Sequence, residues 1–280
     1  MKTTVVAIIC FVLLGATAAL AEVELQEHNW DLGTEISHIK YEEPDIMEEE
    51  GAMYGVVGSY TYHNKLMLRG EVKGSWGEVD YTSVDSGDIN NIDDYMVEAR
   101  ALGGYDFPVS ETTILTPYIG FGYRYLNDDM SGTVSTTGNL GYERESNYYY
   151  SPIGIETITE LDNDWFLGLT CEYDYFWQGK QKSHLSDARY YHPAWGYYTL
   201  NDVENDQEKG YGVRGSVKLL KKAEKVDLII EPYIKYWNIK KSNEVVSSTI
   251  SENGLWIITS TGYEPKNNST EIGGKIAIRF

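Results

Sequence analysis

The sequence predicts an all-β fold, a transmembrane antiparallel up-and-down β-barrel of about ten strands, and three observations carry that prediction. Apolar and polar residues alternate with a period of two in one segment after another, which is the signature of a strand with two unlike faces. The connections between those segments alternate between short and long along the chain. Aromatic residues, 24 Tyr and 7 Trp among 280 residues, gather at the ends of the apolar faces, where rings with one apolar and one wet side suit a membrane interface.

The chain begins with MKTTVVAIICFVLLGATAALA, which has Lys2, an apolar run from Val5 to Leu14, and small residues at Ala19 and Ala21. This pattern predicts a secretory signal peptide over 1–21, with cleavage after Ala21, and leaves 22–280 as one barrel domain. The apolar run is too short to span a bilayer as a helix, and no run of about 20 apolar residues follows it, so any spans must be strands. Cys10 leaves with the signal and Cys171 remains alone. The exported chain therefore has no intrachain disulfide and no multi-thiolate metal site.

Strands are expected near Trp30 to Tyr41, then over Tyr54–Tyr62, Leu66–Trp76, Tyr95–Phe107, Leu115–Tyr125, Tyr149–Thr157, Trp165–Trp177, Tyr211–Leu219, Val226–Trp237 and Glu271–Phe280. One face of the ninth segment reads Val226, Leu228, Ile230, Pro232, Ile234, Tyr236. The seventh reads Trp165, Leu167, Leu169, Cys171, Tyr173, Tyr175, Trp177, so aromatics bracket the apolar band. Most segments reach the roughly 9–11 residues a tilted transmembrane strand needs. The stretch GLWIITSTG, Gly254–Gly262, is a candidate extension of the last hairpin beyond the membrane.

Short connections fall around Asn64, Ser110, Asp162 and Ala223; long ones over Glu42–Gly51, Thr82–Ile92, Asn127–Ser146, Gly179–Gly210 and Lys241–Thr270. That order is the pattern of a bacterial outer-membrane barrel, with tight periplasmic turns and long outer loops. A soluble β-sandwich does not require five long loops at one end. The expected location is the outer membrane, as an integral barrel in contact with its lipid and lipopolysaccharide. A formal charge of −20 argues against nucleic acid as a partner, because phosphates repel it.

The face opposite the apolar band carries Glu98, Arg100, Arg124, Glu172, Asp174, Arg214, Glu231 and Lys235, with Arg69, Glu71, Lys73, Glu156, Lys218, Lys275 and Arg279. In a narrow lumen such charges must pair, because an unpaired one costs several kcal/mol; ion pairs and large side chains then fill the interior. The final strand alternates apolar residues at Ile276 and Ile278 and ends on Phe280. It resembles the assembly signal of outer-membrane barrel proteins, which implies recognition by the barrel-assembly machinery.

The layout also resembles the omptins, ten-stranded outer-membrane proteases whose site lies at the extracellular rim. DDYMVEARALGGYDF sits where the omptin strand after the second long loop sits, and YYSPIGIETITELDNDWFLGLTCEYDYFW has the rhythm of the omptin middle hairpin. The resemblance implies an Asp-X-His pair on one rim and an Asp-X-Asp pair opposite. Here QKSHLSD offers His184 with Lys182 two residues before it, and VDYTSVD offers Asp80 with Thr82 two residues after it. A protease would have to be built on His184 with Asp80 or Asp187. Asp93 and Asp94, adjacent in an extended segment, point to opposite faces.

Other catalytic motifs are missing: no Gly-X-Ser-X-Gly, no His-Glu-X-X-His and no phosphate-binding glycine loop occurs. His184 and His192 read as two separate loop histidines, so neither a metal site nor a cofactor is expected. The acidic runs YEEPDIMEEEG and NDVENDQE read as solvated surface, with carboxylates that hold divalent cations at the outer leaflet as the alternative, although their spacing is not that of an EF-hand loop. ARYYHPAWGYYTL is an exposed aromatic stretch that either anchors a recognition surface or folds back over the barrel mouth to plug it. The functional expectation is a non-enzymatic surface protein, structural or adhesive, presenting Asn127–Ser146 and Gly179–Gly210 to an unidentified external ligand. An omptin-like protease with a rearranged site and a small channel are the alternatives.

Overall fold

A computed structural model describes residues 25–280; the signal-peptide expectation lies outside them. In chain order the elements are β1 (His28–Glu43), β2 (Met47–Asn64), β3 (Leu66–Ser83), β4 (Gly87–Tyr105), β5 (Phe107–Pro108), β6 (Thr113–Asp129), β7 (Glu143–Glu160) and β8 (Trp165–Ser183). A short 3-10 turn at Leu185–Asp187 precedes β9 (Arg189–His192), β10 (Gly196–Thr199), β11 (Val203–Gln207), β12 (Gly210–Lys221), β13 (Asp227–Ile239), β14 (Val245–Ile250), β15 (Ile257–Gly262) and β16 (Asn267–Arg279).

Ten of these strands, β1, β2, β3, β4, β6, β7, β8, β12, β13 and β16, each pair antiparallel with the next, and β16 pairs back onto β1. The sheet is closed and has no free edge, which is what a lipid environment demands of strands. At the seam Asp31 pairs with Arg279 in register, and their side chains form a two-bond ion pair at 2.7 and 2.8 Å. Trp30 and Phe280 exchange backbone hydrogen bonds at 2.9 and 3.0 Å, tying the first strand to the last.

Outward faces are apolar: Leu66, Leu68, Val72 and Trp76 on β3, and Ile272, Ile276 and Ile278 on β16, are exposed. From Leu66 to Trp76, at about 3.3 Å per residue and a tilt of about 40°, the band stands roughly 25 Å tall, the height of an outer-membrane hydrocarbon layer. Trp30, Tyr105, Phe107, Trp165 and Phe280 mark one border, and Tyr54, Trp76, Tyr95, Tyr175 and Trp177 mark the other.

The turns at the inner end are short. Between β7 and β8 the Leu161 N–H donates to Trp165 O at 2.7 Å, and in the three-residue loop so closed Asn163 and Asp164 both take positive φ, 58° and 60°, a region that Asn and Asp tolerate. At the other end the structure departs from the sequence expectation. Glu42–Gly51 and Thr82–Ile92 are not long loops: β1–β2 and β3–β4 continue well past the aromatic border and turn within Pro44–Ile46 and Val84–Ser86. Three outer connections are long. Within them β9 pairs β10, β14 pairs β15 as a hairpin of its own, and β11 pairs with the upper edge of β8. Gly254–Gly262 thus belongs to the β14–β15 hairpin and does not prolong the barrel strands.

The lumen is layered. Ile114, Phe166, Leu220, Ile229 and Ala277 close its inner end, with Leu25 and Ile158 against them. A charged layer follows, then Tyr148, Tyr150, Phe176, Trp237 and Ile239. Tyr150, wholly buried, lies flat against Gly122, where any Cβ would collide with the ring; Tyr118 meets Gly154 and Tyr233 meets Gly273 in the same way. Each hydroxyl reaches a carboxylate: Tyr150 to Glu98 at 2.5 Å, Tyr118 to Glu172 at 2.7 Å, Tyr233 to Glu271 at 2.7 Å. Strand glycines here make room for rings that carry polar tips into the centre.

Candidate functional site

The charged layer contains the eight lumen residues named from the sequence. Arg214 is its hub: it lies 2.9 Å from Glu98, 2.8 Å from Glu172 and 3.0 Å from Asp174. Arg100 pairs with Glu172 and, at 3.2 Å, with Glu71; Lys235 lies 3.5 Å from Glu98; Glu231 pairs with Lys275 at 2.6 Å. Arg124 differs from the rest, since it faces the Met96 sulfur at 3.1 Å and the Trp237 ring at 5.7 Å and, among the described residues, forms no ion pair. Around a cavity of about 150 Å³, Arg69 holds Glu156 at 2.7 Å, and Lys73 holds Glu35 at 2.5 Å and also Glu271. Fixed ion pairs inside a low-dielectric wall make this layer a brace, with charge of both signs matched across the lumen.

Nearer the mouth, on the strand extensions, Arg144 of β7 sits among Glu43, Glu49 and Asp128, at 3.5 Å from Glu43 and 2.7 Å from Asp128. Asp94 and Asp128 are direct register partners on β4 and β6, and both line a small cavity with Glu49 and Arg144. Above them the Tyr41 hydroxyl lies 3.0 Å from Glu264 and 3.3 Å from Glu43. One hydroxyl hydrogen cannot serve both carboxylates. Burial, and then the charge of Glu43, push Glu264 up to about 8.

His184 is elsewhere. Between β7 and β8 the register slips at Tyr149/Tyr150: Tyr149 pairs with Gln178 but Tyr150 pairs with Phe176, which leaves Trp177 as an extra residue. Below this bulge the even-numbered residues of β8, Glu172, Asp174 and Phe176, are buried; above it Gly179 and Gln181 are. A bulge of one residue exchanges the faces of all that follows. Strict alternation would turn His184 into the mouth; the bulge turns it onto the outer face of the wall. There its Nε2 lies 2.8 Å from Glu145 and its Nδ1 lies 3.5 Å from Asp202.

Neither of the other two residues considered for a protease pairs its carboxylate with the His184 ring, although the Asp187 N–H donates to His184 O at 3.0 Å. Asp80 lies on the outward face of β3, where a second bulge puts Asn91 of β4 at φ 56°, and the Asp80 carboxylate accepts the Asn91 N–H at 3.0 Å. That bond satisfies a backbone donor that the ladder leaves out. Asp187, in the 3-10 turn, accepts the Glu143 N–H at 3.2 Å. Asp93 is exposed and Asp94 faces inward, on opposite faces of β4.

Residues 7–183 match the model of the outer membrane protein beta-barrel domain. The chain belongs to that family. It is an integral outer-membrane barrel, and its ten strands follow the omptin layout: outer membrane protease OmpT from Escherichia coli is similar in structure over 90% of this chain and 96% of that one, with 9% identity and a TM-score of 0.57. The toluene transporter TodX from Pseudomonas putida is similar over 91% of this chain and 90% of that one, with 10% identity and a TM-score of 0.37. No curated protein matches the sequence.

For this outer-membrane barrel the partners of His184 escaped the sequence reading, since Glu145 is 39 residues away and Asp202 lies in a loop. Asp128 and Arg144 escaped it because they fall in Asn127–Ser146, expected to be a long loop, and Glu49 because the run YEEPDIMEEEG looks like solvated loop. A signal was present in that run: Met47, Glu49 and Gly51 continue the period of two into β2.

Proposed function

We propose that this protein is a non-enzymatic surface barrel that binds an external partner through its paired outer hairpins. The observation that carries this reading is an aromatic and aliphatic platform above the membrane. In β9–β10, Tyr190 stacks on Tyr198 and His192 on Trp195, and Tyr191 is 62% exposed; at the tip of β14–β15, Leu255 and Ile257 are 77% and 75% exposed. Rigid exposed aromatics are the residues that dominate binding interfaces.

The two hairpins support each other. Arg189 makes a bidentate contact with Glu252, both bonds 2.7 Å, and its guanidinium lies 4.0 Å over the Tyr197 ring. Glu252 N–H donates to Tyr197 O at 2.9 Å, and the Asn253 side chain donates to Trp195 O at 3.2 Å. A preorganised surface loses less entropy on binding. Outer-membrane lipid and lipopolysaccharide around the apolar band, and the barrel-assembly machinery at Ile276, Ile278 and Phe280, complete the proposed partners.

The test uses folded protein in outer-membrane vesicles offered a mixed peptide library, read by mass spectrometry beside Tyr191→Ala/Leu255→Ala and His184→Ala variants. The expected result is retention of ligands that the platform variant loses, with no cleavage. Cleavage that disappears with His184→Ala would replace this reading with an enzymatic one.

A further inference from the structure

We propose that the outer face of β7 and β8, just above the aromatic border, holds a divalent first-row transition-metal ion on Glu143, Glu145 and His184. One donor atom from each of the three lies within 4.8 Å of the other two. An ion at about 2.0–2.2 Å from carboxylate oxygen and imidazole nitrogen spans donors up to about 4.4 Å apart, so small side-chain rotations suffice to bring the three onto it. Two carboxylates and one imidazole are a donor set for such ions, and leave coordination positions open to water or to a ligand.

The backbone already has the required form. Glu143 and Glu145 are two residues apart on one face of β7, and the His184 N–H donates to Glu143 O at 2.9 Å, so the histidine is pinned beside that face. The Trp177 bulge is what turns His184 to this side. Outer partners orient the ligands as in established metal sites. The Asn127 amide, itself buried, donates to Glu143 at 2.6 Å, and Asp202 faces the His184 Nδ1, which leaves the Nε2 lone pair for the ion. Asp202 is in turn held by the Ser186 hydroxyl at 2.7 Å and amide at 3.1 Å.

The local charge is one-sided. Among the described residues no Lys or Arg forms an ion pair with Glu143, Glu145 or Asp202. Arg144 points to the lumen side, toward Glu49 and Asp128, and Lys182, the register partner of Glu145, is not within ion-pair distance of these carboxylates. No Lys or Arg in contact among the described residues offsets these carboxylates, and a bound dication would supply the positive charge they lack. Because His184 directly follows the last residue of β8, Ser183, the ion also fixes the root of the loop that carries β9 and β10. This inference does not depend on the proposed partner binding.

The experiment titrates Zn²⁺ alone into the folded full-length barrel in zwitterionic detergent, by calorimetry, with Co²⁺ absorption as a second measurement of imidazole ligation. The expected result is one Zn²⁺ per chain. Asp202→Asn should weaken it roughly 10–100-fold, by loss of an outer partner, His184→Gln and Glu145→Gln should weaken it further, and His192→Ala should leave it unchanged. Two results would overturn the proposal: no saturable binding by protein whose heat-dependent gel shift shows it folded, or equal affinity in His184→Gln protein that shows the same shift.

Discussion

Replacing Arg214 by Met tests whether the charged layer braces the barrel. Arg214 contacts Glu98, Glu172 and Asp174, but the three carboxylates depend on it unequally. Without it Glu98 keeps Lys235 at 3.5 Å and the Tyr150 hydroxyl, and Glu172 keeps Arg100 and the Tyr118 hydroxyl. Asp174, at 0% exposure, has no other cation within ion-pair distance among the described residues. One orphaned buried charge, not three, sets the cost, at about 3–5 kcal/mol. Urea unfolding of the detergent-folded barrel, followed by tryptophan fluorescence, reads it. Adding Asp174→Asn to Arg214→Met removes the orphan and should recover more than about 2 kcal/mol of the loss. If Arg214→Met costs less than about 1 kcal/mol, or the two substitutions are additive, the assignment of Arg214 as the sole support of Asp174 is refuted.

Three further outcomes follow from the geometry. Gly122→Ala places a methyl group against the Tyr150 ring, and should cost about 1–3 kcal/mol by overpacking; made in Tyr150→Ala protein, which already lacks the ring, the same substitution should cost much less relative to that parent. Glu264, pushed up to about 8 in the fold against an ordinary value near 4.5, stabilises most when protonated in both states. That stability is complete below about pH 4.5 and is lost as pH rises through 8, so thermal stability should fall from pH 6 to pH 9 in the wild type and stay flatter in Glu264→Gln. The apolar layer of Ile114, Phe166, Leu220 and Ile229 closes the inner end of the lumen, and planar-bilayer recordings should show no conductance; steady single-channel openings would contradict that closure.

Inside the membrane the fold was legible, because lipid on one side and a crowded lumen on the other impose opposite chemistry on successive residues. Leu228, Ile230 and Ile234 face out while Glu231, Tyr233 and Lys235 face in, as alternation alone suggests. Above the aromatic border that contrast is lost. Glu48 and Glu50 face water on the outside of β2 while Glu49 faces Arg144, so the strand carries the same residue type on both faces and reads as a loop. The site at His184 was illegible for a different reason: its ligands and orienting groups come from β6, β7, the end of β8 and a loop, and no local spacing joins them.

The extra residue at Trp177 has a consequence for how such proteins change over time. A strand in a barrel wall has a parity, and a single-codon insertion reverses it from that point to the next turn. Every side chain of the segment is then exchanged between the vestibule and the outside with no substitution at all. Two barrels of one layout can thus carry the same rim residue at matching sequence distance from the membrane and present it to different worlds. Inheritance of chemistry in these folds therefore follows the count of bulges along a strand, and the heirs of a vestibule histidine are found by parity before they are found by motif.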